Sequence, residues 1–227
     1  MQRFFDIVFS GIALILLSPL LLPLMLILRV TGEGEIFFSQ SRVGRGGEDF
    51  KLYKFATMLK DSPRMGTGTV TIKNDPRILP MGEFLRKTKI NELPQLINIL
   101  KGDMSVIGPR PQTQRCFGAF PKLSQNDIIK VRPGLSGIGS VVFRDEEGMM
   151  HANADPDRLY DDVIMPYKGE LESWYVRNNS VLNYFLLIAL TIFVIFTRST
   201  LLIFQCYNLL PRPPVELKSF IASDYYG

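Results

Sequence analysis

Residues 87 to 111 read KTKINELPQLINILKGDMSVIGPRP, and their spacing predicts a capped helix followed by a rigid turn. Asn91 is a residue type that caps helix N-termini, and Pro94 falls in the first turn, where a missing amide costs little. Gly102 has the position of a glycine that ends a helix. Four apolar residues between them recur at helical spacing and predict one buried face: Leu93, Leu96, Ile97 and Leu100.

The residue types in this stretch suit phosphate chemistry. Glu92 lies at the predicted helix N-terminus, where a carboxylate is favoured and can hold a divalent metal. Pro109 and Pro111 fix the backbone on both sides of Arg110, so its guanidinium is expected to project from a stiff turn and bind a phosphate through two parallel bonds. Carboxylate, metal and arginine are the groups that phosphoryl transfer uses. The alternative is a capped core helix followed by a structural arginine.

This stretch resembles the signature of the bacterial sugar transferases that begin glycan assembly on a lipid carrier, the monotopic phosphoglycosyl transferases. Several ordered motifs in one chain are more specific than any one alone. The similarity covers residues 1–145 well and the rest loosely. The matching segments are Phe50-Lys51-Leu52-Tyr53-Lys54-Phe55, Asn74-Asp75-Pro76-Arg77, Glu92-Leu93-Pro94-Gln95, Lys101-Gly102-Asp103-Met104-Ser105, Gly108-Pro109-Arg110-Pro111 and Pro133-Gly134-Leu135-Ser136-Gly137.

The resemblance implies a helix-rich α/β (α+β) fold, with a small cytoplasmic domain, an N-terminal re-entrant membrane helix and interfacial amphipathic helices. It implies transfer of a phospho-sugar from a UDP-sugar to polyprenyl phosphate, with Mg²⁺ and with release of UMP. The reaction would take place at the cytoplasmic face of the bacterial inner membrane and start an exopolysaccharide, capsule, O-antigen or glycoprotein glycan. The expected partners are UDP-sugar, polyprenyl phosphate and the lipid bilayer. A homodimer is one alternative for the oligomeric state, which stays open, as does the sugar.

Two positions depart from the family pattern. Asn91 stands where the family has an aspartate nucleophile, and Ala56 stands where an arginine is expected. The predicted catalytic residues are therefore Asn91 and Glu92, with Glu92 also the metal ligand, and the sequence leaves open whether a covalent intermediate forms. A catalytically silent platform that binds nucleotide-sugar or partner enzymes is the alternative function. The predicted substrate-binding residues are all basic: Arg110, Lys54, Arg86, Lys87 and Arg77.

Residues 4–28 are almost continuously apolar and long enough to span a bilayer. Pro19 removes an amide and clashes with the preceding turn, so we predict a break there, with Ser18 capping the freed backbone groups. Arg3 and Arg29 flank the segment, which favours both ends staying cytoplasmic. We therefore predict a helix–break–helix that enters one leaflet and returns. A signal peptide and a simple spanning helix are the alternatives.

We predict that the whole chain divides into four segments. These are residues 1–30 as the re-entrant helix, 31–180 as the catalytic domain, 181–210 as a membrane-associated apolar helix and 211–227 as a flexible tail. Residues 181–204 either lie on the membrane or span it. Residues 44–47 predict a turn, and 141–143 predict a strand.

Two local patterns concern the predicted site. Residues 50–55 alternate like a half-buried strand, which places Lys51 and Lys54 on different faces and makes Lys54 the candidate to face a site. Small residues after Pro133 would let the backbone approach a ligand closely.

Composition narrows the function classes. A net charge of +4, a pI near 9.1 and 46% hydrophobic residues suit a surface that faces anionic headgroups or phosphorylated substrates. No lysine and arginine run or nucleic-acid module occurs, so no nucleic-acid partner is predicted. One histidine and two distant cysteines do not support a histidine triad, a zinc site or a disulfide framework.

Overall fold

The computed structural model describes residues 1–65, 75–144, 146–151, 155–197, 199–207 and 209–221. Among these residues the α-helices are α1 (Gln2–Val30), α2 (Gly82–Lys87), α3 (Gln95–Lys101), α4 (Gln114–Gly118), α5 (Lys122–Ile128), α6 (Ile138–Val142), α7 (Glu146–His151), α8 (Pro156–Leu159), α9 (Met165–Arg177), α10 (Val181–Thr197), α11 (Leu201–Cys206) and α12 (Val215–Ile221). The strands are β1 (Phe37–Val43), β2 (Asp49–Phe55), β3 (Ser105–Ile107) and β4 (Gly134–Ser136). Two two-stranded sheets, β1-β2 and β3-β4, accompany many helices, which confirms a helix-rich mixed fold.

The described residues divide into two compact units that alternate along the chain. We call them the helix-1 unit, which comprises Phe5–Ser41 and Lys51–Lys101, and the helix-9 unit, which comprises Met1–Phe4, Arg42–Phe50 and the residues from Gly102 onward. This grouping follows contacts and not chain order. The predicted boundaries after residues 30, 180 and 210 stay predictions.

The helix-1 unit has an apolar core against one stripe of α1. Leu21, Leu24 and Leu28 lie on that stripe and pack with Phe55 and Leu85. The other sides of α1 carry large exposed apolar side chains, namely Ile12, Ile15, Leu16, Leu20, Leu22 and Leu26. Within the described part of the chain, α1 is the one helix long and apolar enough to cross a membrane. Its exposed apolar surface supports membrane association.

Helix α1 runs without interruption from Gln2 to Val30, so the predicted break at Pro19 is wrong at the level of secondary structure. Proline at this position removes the amide that would bind the carbonyl of Ile15. The hydroxyl of Ser18 donates to that same carbonyl at 2.8 Å. The prediction that Ser18 caps a freed backbone group is therefore confirmed, and this bond explains how the helix continues past the proline. Whether the helix re-enters one leaflet stays a prediction.

The helix predicted to start at Asn91 starts at Gln95. Residues Ile90–Glu92 form a 3₁₀ turn, and Lys89 before them has a left-handed φ of 60°. Pro94 supplies no amide, and the surrounding backbone bonds run from i to i−3, as in Leu93 N to Ile90 O. Asn91 is therefore inside a turn and is not a helix cap.

The predicted apolar face of α3 is correct only in part. Leu96 is buried, but Ile97 and Leu100 are each 37% exposed, and the fully buried side chains are Asn98 and Ile99. The side of α3 that carries residues 95, 96, 98 and 99 faces the interior. The spacing of apolar residues alone cannot predict this face, because one of its buried residues is an asparagine. Gly102 follows the helix with φ of 97°, so the predicted terminal glycine is confirmed.

Helix α9 lies at the centre of the helix-9 unit and packs on α5 and α6. Pro166, which has no amide to donate, closely follows a π-helical turn at Tyr160–Ile164 that leads into α9. Arg177 near the end of α9 donates to Asp127 of α5 at 2.7 Å. The Tyr175 hydroxyl donates to the Ile107 carbonyl at 3.4 Å, which ties α9 to β3. β3 and β4 pair in parallel with Ser105 opposite Gly134.

Two further predictions in this unit are corrected. Residues 141–143 were expected as a strand, but Val141 and Val142 belong to helix α6, where both are buried. Residues 215–221, expected as part of a flexible tail, form α12, because Leu217 and Ile221 at i and i+4 are both buried. The apolar segment after residue 180 is confirmed as helix α10, with α11 as a separate helix. Asn74, Arg198 and residues 222–227 lie outside the described residues.

Candidate active site

The helix-1 unit brings Lys54 and Glu92 together from positions 38 residues apart. The Nζ atom of Lys54 lies 3.1 Å from Oε1 of Glu92. Their side chains are 20% and 14% exposed, so the pair is largely desolvated and still reachable by a ligand. Of the two lysines of this strand that the sequence singled out, Lys54 is the one seen in contact with Glu92, and its role in a site stays a prediction. A partly buried carboxylate beside an ammonium is suited to hold charged groups in fixed positions.

Asn98 fixes the strand that carries Lys54. Its Nδ2 donates to the carbonyl of Lys51 at 2.8 Å, and its Oδ1 accepts from the amide of Tyr53 at 3.0 Å. Asn98 itself is fully buried, and both bonds are partly buried. The Asn98 side chain thus hydrogen-bonds to the main chain of β2 as a paired strand does. The second of these contacts is at Tyr53, the residue before Lys54. Sequence reasoning missed Asn98, and the available signal was a polar residue inside an otherwise apolar helix.

Asn91 is 7% exposed, and within the described residues its Oδ1 atom has no hydrogen-bond partner. A buried polar oxygen without a donor costs free energy and asks for an explanation, such as a functional role or a bound ion. The atom belongs to the residue directly before Glu92. The unsatisfied amide oxygen is thus carried by the neighbour in sequence of the ion-paired Glu92.

The described residues contain no group of three or more histidine, cysteine or acidic side chains arranged for a metal ion. Mg²⁺ does not require such a group, because it is usually held by one or two carboxylates together with substrate phosphates and water. The carboxylate of Glu92 fits that requirement, and the preceding residue, Asn91, carries an unsatisfied oxygen of the hard type that Mg²⁺ prefers. The donor chemistry at this turn therefore fits Mg²⁺.

Arg77 has the surroundings of a structural arginine. It is 4% exposed, and its Nη2 atom lies 2.6 Å from Oδ2 of Asp75. Its Nη1 atom donates to the carbonyls of Ser62 and Met65, each at 2.8 Å. This guanidinium holds the loop around it, which favours a structural role over a substrate contact.

The other two predicted substrate-binding residues of this unit differ in exposure. Lys87 forms an exposed ion pair with Glu83 at 2.7 Å, and such pairs contribute little stability. Arg86 is partly buried, with Nη1 3.9 Å from the sulfur of Met58. The substrate-binding roles of Lys87 and Arg86 stay predictions.

The helix-9 unit contains the turn of residues 108–112, which carries Arg110. Its backbone is fixed by main-chain hydrogen bonds from Gly108 N to Ser136 O at 2.9 Å, from Gly134 N to Pro109 O at 2.8 Å and from Val43 N to Gln112 O at 2.9 Å. The predicted stiff turn is thus confirmed. The Arg110 side chain is only partly buried, so the turn leaves part of it accessible.

Glycines allow the backbone of residues 134–137 to approach the backbone of the 108–112 turn closely. A Cβ atom on Gly134 would lie 2.1 Å from Gly108 N, and one on Gly137 would lie 2.1 Å from Gly108 O. Both distances are far inside van der Waals contact, so only glycine fits at either position. The small residues after Pro133 therefore approach the backbone of the turn. Close approach to a ligand was the expectation.

A buried carboxyl group lies behind the turn. Glu172 of α9 is 1% exposed, and its Oε1 atom accepts from the Arg110 main-chain amide at 3.3 Å. Burial raises the pKa of Glu172 to about 7, although the Arg110 amide, Lys168 and the Arg110 charge act in the opposite direction. Sequence reasoning missed this residue, because nothing in the sequence ties α9 to the turn 62 positions earlier.

Comparison with known proteins identifies relatives along most of the chain. The model of the bacterial sugar transferase family matches residues 1–198. A UDP-N-acetylgalactosamine-undecaprenyl-phosphate N-acetylgalactosaminephosphotransferase from Aeromonas hydrophila is 35% identical over 198 residues, which cover 86% of this chain and 44% of that protein. Exopolysaccharide production protein ExoY from Sinorhizobium fredii is 31% identical over 195 residues, 80% of this chain and 79% of that protein.

A third relative carries a different sugar in its name. The UDP-glucose:undecaprenyl-phosphate glucose-1-phosphate transferase from Klebsiella pneumoniae is 37% identical over 144 residues, 62% of this chain and 30% of that protein. The chain therefore spans less than half the length of the Aeromonas and Klebsiella proteins and most of the Sinorhizobium protein. Two of the three names specify undecaprenyl phosphate as a substrate, and their sugars differ.

Proposed function

This chain belongs to the bacterial sugar transferase family, and we propose that it transfers a phospho-sugar from a UDP-sugar to polyprenyl phosphate, releasing UMP. The family match over residues 1–198 is the observation that carries the proposal. The names of the Aeromonas and Klebsiella relatives support a polyprenyl phosphate acceptor, and the Sinorhizobium name supports a place in exopolysaccharide production. The sugar is left open, because the relatives differ in it.

In this proposal Glu92 is the protein ligand of Mg²⁺, and Asn91 Oδ1 is the second oxygen available to the ion. Bound Mg²⁺ would offset negative charge on the substrate diphosphate. Lys54, 3.1 Å from Glu92, orients the carboxylate and adds positive charge where the diphosphate binds. Because phosphoryl transfer depends on positioning and charge neutralisation, these fixed side chains supply what the reaction requires of this part of the chain.

Arg110 is proposed to bind a substrate phosphate through its guanidinium. The rigid 108–112 turn supports this role, because a side chain on an immobile backbone loses less conformational freedom on binding. The planar fork of arginine matches two phosphate oxygens at once.

The amide of Asn91 is a poor nucleophile, and the carboxylate of Glu92 is already paired with Lys54. We therefore propose direct transfer. An oxygen of polyprenyl phosphate attacks the phosphorus that bears the sugar, and the bond from that phosphorus to the UMP oxygen breaks. UMP leaves with the electron pair, and no protein-bound intermediate forms. Attack by Glu92 is the alternative, and a phospho-sugar adduct on Glu92 in the intact-mass spectrum would establish it.

The proposed location is the cytoplasmic face of the bacterial inner membrane. The exposed apolar surface of α1 supports association with a bilayer, and Arg3 and Arg29 at its two ends favour a cytoplasmic position for both. A lipid-linked acceptor and a soluble nucleotide-sugar can meet only at such a surface.

The test is UMP release. Membranes that contain the full chain are mixed with Mg²⁺ and polyprenyl phosphate, and UDP-glucose, UDP-N-acetylgalactosamine and other UDP-sugars are supplied in turn. We expect UMP to appear with at least one UDP-sugar, only when lipid acceptor and Mg²⁺ are both present. UMP release without lipid acceptor would contradict direct transfer. No release with any UDP-sugar would contradict the proposed function.

Asn91 favours one second candidate, a membrane-bound platform that binds nucleotide-sugar without turnover. The two functions are separated by the Asn91→Asp variant. A silent wild-type chain that gains UMP release on this substitution would establish the platform. A wild-type chain that already releases UMP excludes it.

A further inference from the structure

Glu172 is a buried acid whose surroundings satisfy only half of its carboxyl group. Its Oε1 atom accepts from the Arg110 amide at 3.3 Å, which is at the long end for such a bond. Within the described residues its Oε2 atom has no hydrogen-bond partner. A stable core would satisfy both oxygens or use an apolar side chain, so this arrangement asks for another explanation.

The charged neighbours of Glu172 come from α9 itself, from α7 and from the 108–112 turn. Lys168, one turn earlier on α9, places its ammonium 2.9 Å from Oε2 of Glu146 on α7. From the turn, Arg110 contributes its amide and the charge of its side chain. From α6, Gly139 packs against the carboxyl, where a Cβ atom would lie 2.4 Å from Oε1 of Glu172. The carboxyl is thus confined between a backbone and one amide donor.

We propose that Glu172 is a positioning residue for Arg110, holding its main-chain amide so that the guanidinium is presented to a substrate phosphate. Residues 108, 109 and 112 of the turn are held by main-chain partners, which do not ionise. Arg110, at the middle of the turn, has its amide bound by an ionisable side chain from a helix 62 residues away. The presentation of the guanidinium to a substrate phosphate rests on the proposed function. The contact between Glu172 and the Arg110 amide rests on the geometry alone.

The ionisation of Glu172 gives this contact a readout. A carboxylate accepts a hydrogen bond more strongly than a neutral acid, so the hold on Arg110 strengthens when the proton leaves. Burial raises the pKa of Glu172 to about 7, so both forms exist near neutral pH. The other charged groups around the carboxyl are Lys168, Glu146 and the Arg110 side chain. The charge of Glu172 itself changes across that range.

The first test observes the amide itself. The full chain is labelled with ¹⁵N-arginine and studied in lipid nanodiscs, and the Arg110 resonance is assigned through Arg110→Lys. We expect the Arg110 amide to shift with a midpoint near pH 7 in the wild type, to lose that transition in Glu172→Gln and to keep it in Glu170→Gln, an exposed acid on the same helix. An Arg110 amide that does not titrate, or titrates equally in Glu172→Gln, overturns the inference.

The second test uses kinetics with a UDP-sugar that the chain accepts. Glu172→Leu removes the acceptor, and Glu172→Gln restores an amide oxygen at the same place. We expect KM for the UDP-sugar to rise about tenfold in Glu172→Leu with a smaller change in kcat, and Glu172→Gln to recover most of the loss. Equal KM values in all three proteins overturn the inference.

A glycine pair provides a test that leaves Glu172 in place. Gly139→Ala should displace the carboxyl and raise KM in the same direction, whereas Gly118→Ala, with open space around the new Cβ atom, should not. If no UDP-sugar is turned over, the proposed function fails, and the amide titration still decides whether Glu172 holds Arg110.

Discussion

Glu92 contacts Lys54 in the free chain and is proposed to contact Mg²⁺ in the complex. A carboxylate can serve both because each of its two oxygens accepts independently. The ion pair uses Oε1 at 3.1 Å. In the proposed complex this single residue would link the strand that carries Lys54 to the metal, and its charge is the property that both contacts require.

The prediction for Glu92 follows from that charge. Glu92→Gln keeps the shape but removes the charge, so UMP release should fall by more than about 100-fold while the fold is retained. The measurements are UMP release and circular dichroism. Glu83→Gln, which removes an exposed partner of Lys87, is the matched control and should stay near wild type. Glu92→Gln with most of its activity and normal Mg²⁺ dependence would refute the metal assignment.

The prediction for Arg110 concerns geometry and not charge. Arg110→Lys keeps the positive charge but loses the planar fork, so turnover should fall about tenfold or more, because one bidentate contact contributes about 1.5–3 kcal/mol. Arg115→Lys, at an exposed ion pair with Asp161, is the control. Unchanged kinetics in Arg110→Lys would show that the fork is not used.

At the residue scale, the sequence singled out the side chains that the motif itself names, whose roles stay predictions, and it missed the side chains that contact them in the structure. The alternation of residues in strand β2 singled out Lys54, and the structure shows Lys54 in contact with Glu92. Asn98 and Glu172 were missed, because a supporting side chain is recognised by what it touches. Asn98 touches Lys51 and Tyr53, and Glu172 touches Arg110, all distant in sequence.

At the element scale, the contact between α3 and β2 depends on Asn98. Asn98→Ala would leave the partly buried Lys51 carbonyl and Tyr53 amide without these partners. We expect a loss of about 2–4 kcal/mol in the free energy of unfolding, measured by urea titration in detergent. Leu100→Ala, on the more exposed side of the same helix, should cost clearly less. Equal losses in the two variants would show that the two hydrogen bonds are not what joins helix and strand.

Elements were predicted best where local chemistry decides them. The 44–47 turn and strand β2 appear as expected, since positive-φ glycines at 46 and 47 and alternation are local signals. The start of α3 and the helix at Val141 were predicted wrongly. Pro94 shifts the first through its missing amide, and burial of Val141 and Val142 in α6 overrides the strand preference of valine in the second.

Helix α1 carries a prediction of topology. Pro19→Ala restores the amide that binds the Ile15 carbonyl, which should straighten the helix and push it toward a spanning arrangement. A cysteine at Gln2 is introduced after Cys116 and Cys206 are replaced by serine, and intact cells are labelled from the periplasmic side. We expect no labelling with Pro19 present and labelling in Pro19→Ala. Periplasmic labelling with Pro19 present would contradict the re-entrant arrangement.

At the scale of the whole molecule, the buried carboxyl of Glu172 makes stability depend on pH. Burial raises its pKa from 4.5 to about 7, so the folded chain binds the proton more tightly than the unfolded chain. Its contribution is therefore complete below pH 4.5 and declines as pH rises through 7, by at most about 3 kcal/mol.

The measurement is Tm against pH in detergent. Between pH 5 and 8 the wild type should lose stability more steeply than Glu172→Gln, because the variant cannot ionise. Glu170→Gln should follow the wild type. Parallel curves for wild type and Glu172→Gln would mean that Glu172 ionises in the folded chain as it does in water.

The grouping of segments into units is the part of the molecule that the sequence showed least. Apolar runs and turn signals predicted contiguous segments, whereas the helix-1 unit joins Phe5–Ser41 to Lys51–Lys101 and omits the residues between. Such a grouping depends on which apolar faces meet, as Leu24 of α1 meets Phe55 and Leu85. The pattern of apolar residues along the chain does not specify which of these faces pack against each other.

The alternation of the two units affects the order in which a newly made chain can fold. Lys101 is the last residue of the helix-1 unit, so all of its segments are synthesised before the segment that begins at Gly102. Met1–Phe4 and Arg42–Phe50 are made early but belong to the helix-9 unit, and they wait for partners synthesised from Gly102 onward. A fragment that ends at Lys101 carries one complete unit. Any contiguous fragment that contains the whole helix-9 unit contains both.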